Sequence, residues 1–366
     1  MTRARELAEL GAVYDNGALS NRNLIINGGM TVAQRGTDAK TGHATDLYGT
    51  DRFRAIENHS GSMSSQQVAD APVGFYYSNK ITVTGTDSSL SASEFSRQLT
   101  SIEGQNMAHL NWGTANAQTV TLSFYVKCSV TGTFYISLFN SAADRSFVAG
   151  YTIDAANTWE RKSIKIAGPT DGTWLATNGA GVYVTWSIGA GSTYQTSTLN
   201  SWASAFDMSG SDQVNLFATN AATWQLTGVQ LELGSETTPF EHRSFGQELA
   251  LCERYFQKYN YSSDVSTADT QNTLPVVAAY AGDTGYAGHK LTATMRTSPT
   301  FSASAANTWQ FYSGGTSLAA SEMTAYETGP SIWGMKYVAT SNFTSGYAVY
   351  GRALSTSSYY QFDAEL

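Results

Sequence analysis

Residues 224–259, WQLTGVQLELGSETTPFEHRSFGQELALCERYFQKY, decide the architecture. The first part alternates apolar and polar side chains with a period of two, the pattern of a strand with one buried face. Trp224 and Leu226 share one face, and Val229, Leu231 and Leu233 share one face, but the phase slips between the two sets. One extra residue at Thr227-Gly228 accounts for the slip, so a β-bulge is expected there. GSETTPF then ends the strand, and the next stretch reads as an amphipathic helix over 244–261. Ser244 and Gln247 have the spacing of a capping box. Leu249, Cys252, Phe256 and Tyr259 recur at intervals of three, four and three, with Leu251 and Tyr255 widening the stripe. Such a helix either covers one end of a sandwich or packs against copies of itself around a symmetry axis.

Upstream, the chain reads as strands from Asn23 onward. The clearest is TVTLSFYVKCSV, where Val120, Leu122, Phe124, Val126, Cys128 and Val130 alternate with polar residues and Tyr125. TFYISLF, RKSIKIAG, GVYVTWSIG and QVNLF follow, separated by Gly, Asn and Asp clusters. In the third of these, Trp186 shares the inward face of Val182, Val184 and Ile188, while Tyr183 opposes it. Many short strands at this spacing imply an antiparallel sandwich or jelly roll. Downstream, TWQFYSG, MKYVAT, GYAVYG and YYQFDAEL return to strand patterns, and the last should pin the C-terminus in a sheet. At the other end, TRARELAEL can form a short helix with Ala4, Leu7 and Leu10 as its stripe. So short a helix is marginal alone and needs a partner. The expected organisation is mainly β: a helical segment over 1–20, a jelly roll over 21–243, a linking helix over 244–261 and a smaller β-domain over 262–366.

Composition narrows the function. The 366 residues are 42% hydrophobic but only 14% charged, with hydroxyl, amide and tyrosine side chains filling the polar surface. The net charge of -8 and the scattered Lys and Arg give no basic stripe for phosphates, so nucleic acid is not an expected partner. No run reaches the length of a membrane span, and no membrane insertion is expected. Cys128 and Cys252 read as buried thiols. The five histidines are too far apart in sequence for a zinc motif, and nucleotide-loop and nucleophile-elbow motifs are absent from the sequence.

Candidate sites are few. Trp174, Tyr183, Tyr194 and Trp202 fall in polar stretches or oppose the core face. They suit sugar stacking, or they staple loops or fill a subunit contact. Asn27, Asp46 and Glu232 are candidate oxygen ligands for a structural calcium, or ordinary turn and edge residues. The pairs Asp46 with Asp51 and Asp207 with Asp212 are the nearest approach to glycosidase carboxylates, against a reading as solvated turn residues.

ALSNRNLIINGGMTVAQRGT near the start, YGTDRF at 48–53, the 224–258 stretch, TATMRTSPTF and the terminal FDAEL together resemble bacteriophage and prophage fibre proteins that carry a carbohydrate-binding-module-like jelly roll. The resemblance implies a homotrimeric, non-enzymatic virion fibre made in the host cytoplasm. The N-terminal segment would join it to other virion proteins, and its surface would meet host polysaccharide. In that picture Leu249, Cys252, Phe256 and Tyr259 form the trimer collar, and no cofactor beyond a structural calcium is required. A head or tail decoration protein and a polysaccharide depolymerase are the competing roles.

Overall fold

The computed structural model describes residues 21–42, 46–260, 278–344, 347–353 and 358–366. The attachment segment with Ala4, Leu7 and Leu10 lies outside the described residues. The chain divides into two compact units, one reaching Glu248 and the other running from Leu249 to Glu365.

Among the described residues, the first unit is built from β1 (Lys40–Gly42), β2 (Leu47–Thr50), β3 (Phe53–Glu57), β4 (Ser62–Val68), β5 (Ser78–Gly85), β6 (Phe95–Glu103), β7 (Val120–Cys128), β8 (Gly132–Phe139), β9 (Ser146–Ile153), β10 (Glu160–Ile166), β11 (Ala180–Ala190), β12 (Trp202–Ala203) and β13 (Thr223–Leu233). They form a six-stranded sheet ordered β1-β4-β5-β13-β7-β10 and a seven-stranded sheet ordered β12-β9-β8-β11-β6-β3-β2. All neighbouring strands are antiparallel. The two sheets bury one core between them, and the arrangement is a jelly-roll type of β-sandwich.

The alternation in β7 is realised as expected, with Val120, Leu122, Phe124, Val126 and Cys128 each fully buried. Its other face is drier than the pattern implies. Thr121 and Ser123 are also buried, because the segment after β13 folds over them and Thr121 donates to the Gly234 carbonyl at 2.8 Å. The bulge is where the phase slip puts it. Thr227 opposes Tyr125 and Gln230 opposes Ser123, so three steps on β13 match two on β7. Gly228 takes the extra position at φ +61°, and a Cβ there would stand 2.7 Å from the Phe75 ring. Both apolar sets, Trp224 with Leu226 and Val229 with Leu231, therefore reach the core. Cys128 and Cys252 are buried free thiols, and burial raises the Cys128 thiol to about 11.

Three of the stretches quoted above, near the start, at 48–53 and at 224–258, meet in space as a clasp. The Leu24 N–H donates to the Leu231 carbonyl at 2.9 Å, and the Asn23 amide donates to the Val229 carbonyl at 3.0 Å. The Val229 N–H returns a bond to the Gly28 carbonyl at 2.9 Å. Arg243 donates to the carbonyls of Ile25 and Asn23, and Glu248 accepts from the Asn27 N–H. YGTDRF forms a buried corner beside them: Asp51 accepts from Gln34, and Arg52 donates to the Ser101 carbonyl at 2.8 Å. These motifs build the fold.

The helix is shorter than the sequence pattern suggests. It runs Phe245–Glu253, with the reciprocal Ser244 and Gln247 cap in place at 3.0 and 3.4 Å. Residues 256–260 of the expected 244–261 helix form β14 (Phe256–Asn260) instead, which pairs with the terminal strand Tyr359–Asp363, and Tyr261 lies outside the described residues. Cys252, Tyr255 and Phe256 are at most 1% exposed within the single chain. Tyr259 stacks on Tyr360 at 4.9 Å. The stripe is thus largely core, and Cys252 and Phe256 have no surface to offer a second copy. Leu249 remains half-buried, and Phe245 is 60% exposed.

The second unit continues with β15 (Ala278–Ala281), β16 (Thr284–Lys290), β17 (Thr300–Ala303), β18 (Trp309–Ser313), β19 (Thr316–Thr328), β20 (Ile332–Ala339), β21 (Val349–Ala353) and β22 (Tyr359–Asp363). The described strands form a three-stranded sheet ordered β14-β22-β17 and a six-stranded sheet ordered β15-β16-β20-β19-β18-β21. Trp309, Phe311, Trp333, Met335, Tyr337 and Phe362 centre its core. The terminal strand is the middle of its sheet, and Arg296 holds the chain beyond it by donating to the Ala364 carbonyl at 2.9 Å.

Candidate functional site

The four aromatic candidates separate into two groups. Trp174 and Trp202 meet at 5.2 Å, and Trp112, which the sequence reading missed, lies 5.0 and 5.5 Å from them. All three indole N–H groups donate to backbone carbonyls: Trp112 to Gln118, Trp174 to Asp171 and Trp202 to Ala167. Trp112 is nearly buried, and the other two pack against the sandwich core. Their polar edges are used internally, so this group closes one edge of the sandwich.

Tyr183 and Tyr194 belong to the outer face of the seven-stranded sheet. Inward positions of β11 fill the core, which turns Tyr183 outward opposite Phe139 of β8. The two rings stack at 4.9 Å and 23°. Phe206 joins Phe139 at 4.9 Å and Tyr194 at 5.8 Å, and Tyr194 meets Phe95 of β6 at 5.2 Å. Arg97, two residues along β6, lies among these rings. Its guanidinium carbon is 4.9 Å from the Phe95 centroid, 5.4 Å from Phe139 and 5.6 Å from Phe206. Burial, reinforced by the charge of Arg54, pushes Arg97 down to about 10, so it stays a cation at neutral pH. Phe95, Arg97, Tyr183, Tyr194 and Phe206 are all half-buried, which leaves part of each ring or head group open.

A long excursion between β11 and β13 covers the other half of this face. Ser137 donates to the Asp207 carbonyl at 2.7 Å, the Asp207 N–H donates to Ser146 at 3.1 Å, and the Val214 N–H donates to the Thr133 carbonyl at 2.9 Å. On the far side Arg54 pairs with Asp46 at 2.9 Å, and Arg35 caps the Tyr48 ring at 4.0 Å. The result is a strip of aromatic rings around one partly desolvated cation, bordered by charged side chains. Sequence reading found the two tyrosines and missed Arg97, Phe95, Phe139 and Phe206. A separate recess of about 490 Å³ lies on the outer face of the six-stranded sheet, lined by Phe75, Tyr125, Arg161 and Phe240 among others.

The calcium candidates Asn27, Asp46 and Glu232 each hydrogen-bond to protein groups. Asn27 donates to the Val32 and Asp51 carbonyls and accepts from the Val32 N–H. Asp46 is taken by Arg54, and Glu232 accepts from the Thr238 hydroxyl and N–H and from Gln230. Each is committed to different protein partners. No group of three or more His, Cys, Asp or Glu side chains able to hold a metal occurs among the described residues.

The carboxylate pairs are also engaged. Asp51 is buried against Gln34, at 3.0 and 2.6 Å. Asp212 is held below its usual value by the Tyr135 hydroxyl, and burial together with Asp212 raises Tyr135 to about 12. Asp207 is raised by burial. A serine-histidine contact exists at Ser96 and His59, 3.1 Å apart, but both are buried. The Gly61 N–H donates to His59 Nδ1 at 3.0 Å, so Nε2 carries the proton and donates to the serine. That polarity is the reverse of a general base on a nucleophile.

No family model and no curated protein matches this chain. Solved structures with a similar course of chain include the enzymatically active domain of tailspike protein 4 of bacteriophage CBA120, at 13% identity and a TM-score of 0.31 over 58% of this chain. This chain spans only 22% of that domain. Others are the family 11 carbohydrate-binding module of a Clostridium thermocellum cellulosomal cellulase (11% identity, TM-score 0.29, 56% of this chain and 99% of that one) and a family 61 module in complex with β-1,4-galactotriose (10% identity, TM-score 0.27, 59% and 100%). Likeness this loose carries no argument about what this chain binds. The class defined by the fold is a mainly β protein with a jelly-roll sandwich and a second β-unit.

Proposed function

We propose that this chain is a non-catalytic glycan-binding protein of a bacteriophage fibre, which adheres to host-surface polysaccharide through the outer face of the seven-stranded sheet. The observation that carries the reading is the strip of Phe95, Tyr183, Tyr194 and Phe206 around Arg97. Ring faces accept the apolar faces of sugars, and a partly desolvated guanidinium offers several fixed donors to hydroxyl or carboxylate oxygens. The low charge of the chain favours such neutral, hydroxyl-rich recognition over salt-dependent binding. Assembly as a homotrimer supplies avidity, since weak sites on one axis multiply affinity. Its collar draws on Phe245 and Leu249, one helical turn apart, in place of the buried Cys252 and Phe256. The N-terminal segment serves as the virion attachment.

Printed bacterial surface polysaccharides test the binding, with Arg97→Ala and Tyr183→Ala as variants. The expected result is binding by the natural chain that falls with either substitution. Shortening of the bound polysaccharide would replace the adhesin by a depolymerase, and silence on every glycan combined with binding to virions lacking this chain would favour a decoration protein. Sedimentation tests the trimer, and a monomer at micromolar concentration would end that part of the reading.

A further inference from the structure

We propose that the second unit carries a saccharide groove of its own, on the outer face of β16, β19 and β20. This extends the glycan-binding reading to a second site, and it rests on that reading for the class of ligand. Gly288 of β16 and Gly334 of β20 stand directly opposite one another. They form the floor of a recess of about 460 Å³. Tyr286 and Tyr326 form one wall, with their rings 4.4 Å apart, and Ile332 forms the other. Tyr326 is 59% exposed and Ile332 is 67% exposed, so the walls stand open to solvent.

Nothing among the described residues requires glycine at position 288. Its backbone is not left-handed, and a Cβ added there meets nothing within 4 Å among the described residues. A strand-interior glycine weakens a sheet, and it commonly marks close approach of a ligand or another backbone. Here the approach is from solvent, over bare backbone flanked by tyrosine rings. Glu327 is the one charged side chain among the described residues lining the recess, and Thr328 lies beside it. An aromatic wall, a flat floor, a hydroxyl and a carboxylate acceptor, with Lys336 opposite Tyr286 and Lys290 opposite Ile332 at the borders, suit a neutral sugar chain, whose hydroxyls donate and whose ring faces stack.

The experiment uses the full chain with neutral gluco-, galacto- and manno-oligosaccharides, read by calorimetry and glycan array. The variants are Gly288→Val, Tyr326→Ala and the first-unit variant Arg97→Ala. Gly288→Val fills the floor with a residue that strands favour, so its thermal midpoint should hold or rise while affinity falls about tenfold. Tyr326→Ala should give a similar loss. Binding untouched by Gly288→Val and Tyr326→Ala but lost in Arg97→Ala overturns the groove and leaves the first site. Binding lost with Gly288→Val and with Tyr326→Ala but untouched by Arg97→Ala supports the groove and overturns the first-unit site. Absence of binding to every sugar overturns both, and self-association abolished by Gly288→Val would replace the sugar by a second copy of the chain.

Discussion

Replacing Gly28 by alanine tests the clasp that closes the first unit. A Cβ at Gly28 would stand 2.1 Å from the Val229 carbonyl oxygen and 3.3 Å from the Asn23 amide nitrogen. The first of these is backbone in the middle of β13, which cannot rotate away. Relief requires the two segments to separate, which breaks the Val229-to-Gly28 bond and strains the Asn23-to-Val229 bond, 2.9 and 3.0 Å long. Loss of a buried hydrogen bond costs about 1–3 kcal/mol. With the strain of separation the expected cost is about 3 kcal/mol, or roughly a 6–12 °C fall in the midpoint for a unit of this size. The neighbouring glycine is the control. A Cβ at Gly29 meets the Phe240 ring at 3.8 Å, an ordinary contact. Gly29→Ala should therefore be neutral or stabilise by up to about 1 kcal/mol through the unfolded chain. Scanning calorimetry of both variants decides it. Equal midpoints for Gly28→Ala and Gly29→Ala would refute the clasp.

Other substitutions separate structural from functional aromatics. Trp202→Ala removes a plug packed on the core and should cost about 2–4 kcal/mol in chemical denaturation, while leaving the affinity of the surviving folded protein for glycan unchanged. Ser244→Ala removes the cap of the helix and should cost about 1 kcal/mol, read as a lower denaturation midpoint at constant slope. His289 is held below its usual value by burial, so the unfolded chain takes up the proton first. Stability of the second unit should fall as pH drops below about 6.5, and His289→Gln should flatten that dependence in a pH series of thermal melts.

Local signals in the sequence reached the parts of the fold that are local. The alternation of β7, the slip at Thr227-Gly228 and the Ser244–Gln247 cap each lie within a dozen residues, and each is legible there. The end of the helix is not. CERYFQKY fits a helical stripe and a strand equally, and the outcome is set by β22, about a hundred residues away in sequence, which captures Phe256–Asn260 as an edge partner. The same distance hides the candidate site. Tyr183 and Tyr194 announce themselves as aromatics in polar surroundings. Arg97 is one cation in EFSRQLTS, and only the register of β6 with β11 and the fold-back of Phe206 surround it with rings. In three of its five stretches the resemblance to fibre proteins rests on glycines, asparagines and arginines that tie the first residues of the sandwich to its last strand. It therefore speaks to architecture and says little about ligand.

Titration of the full chain with whichever surface polysaccharide it captures, natural and with Arg97→Ala and Tyr183→Ala combined, bears most directly on the role assigned to the outer face of the seven-stranded sheet. The double variant should keep its melting transition and lose about a hundredfold in affinity, near tenfold from each side chain. Undiminished affinity in a folded double variant would remove that face from recognition.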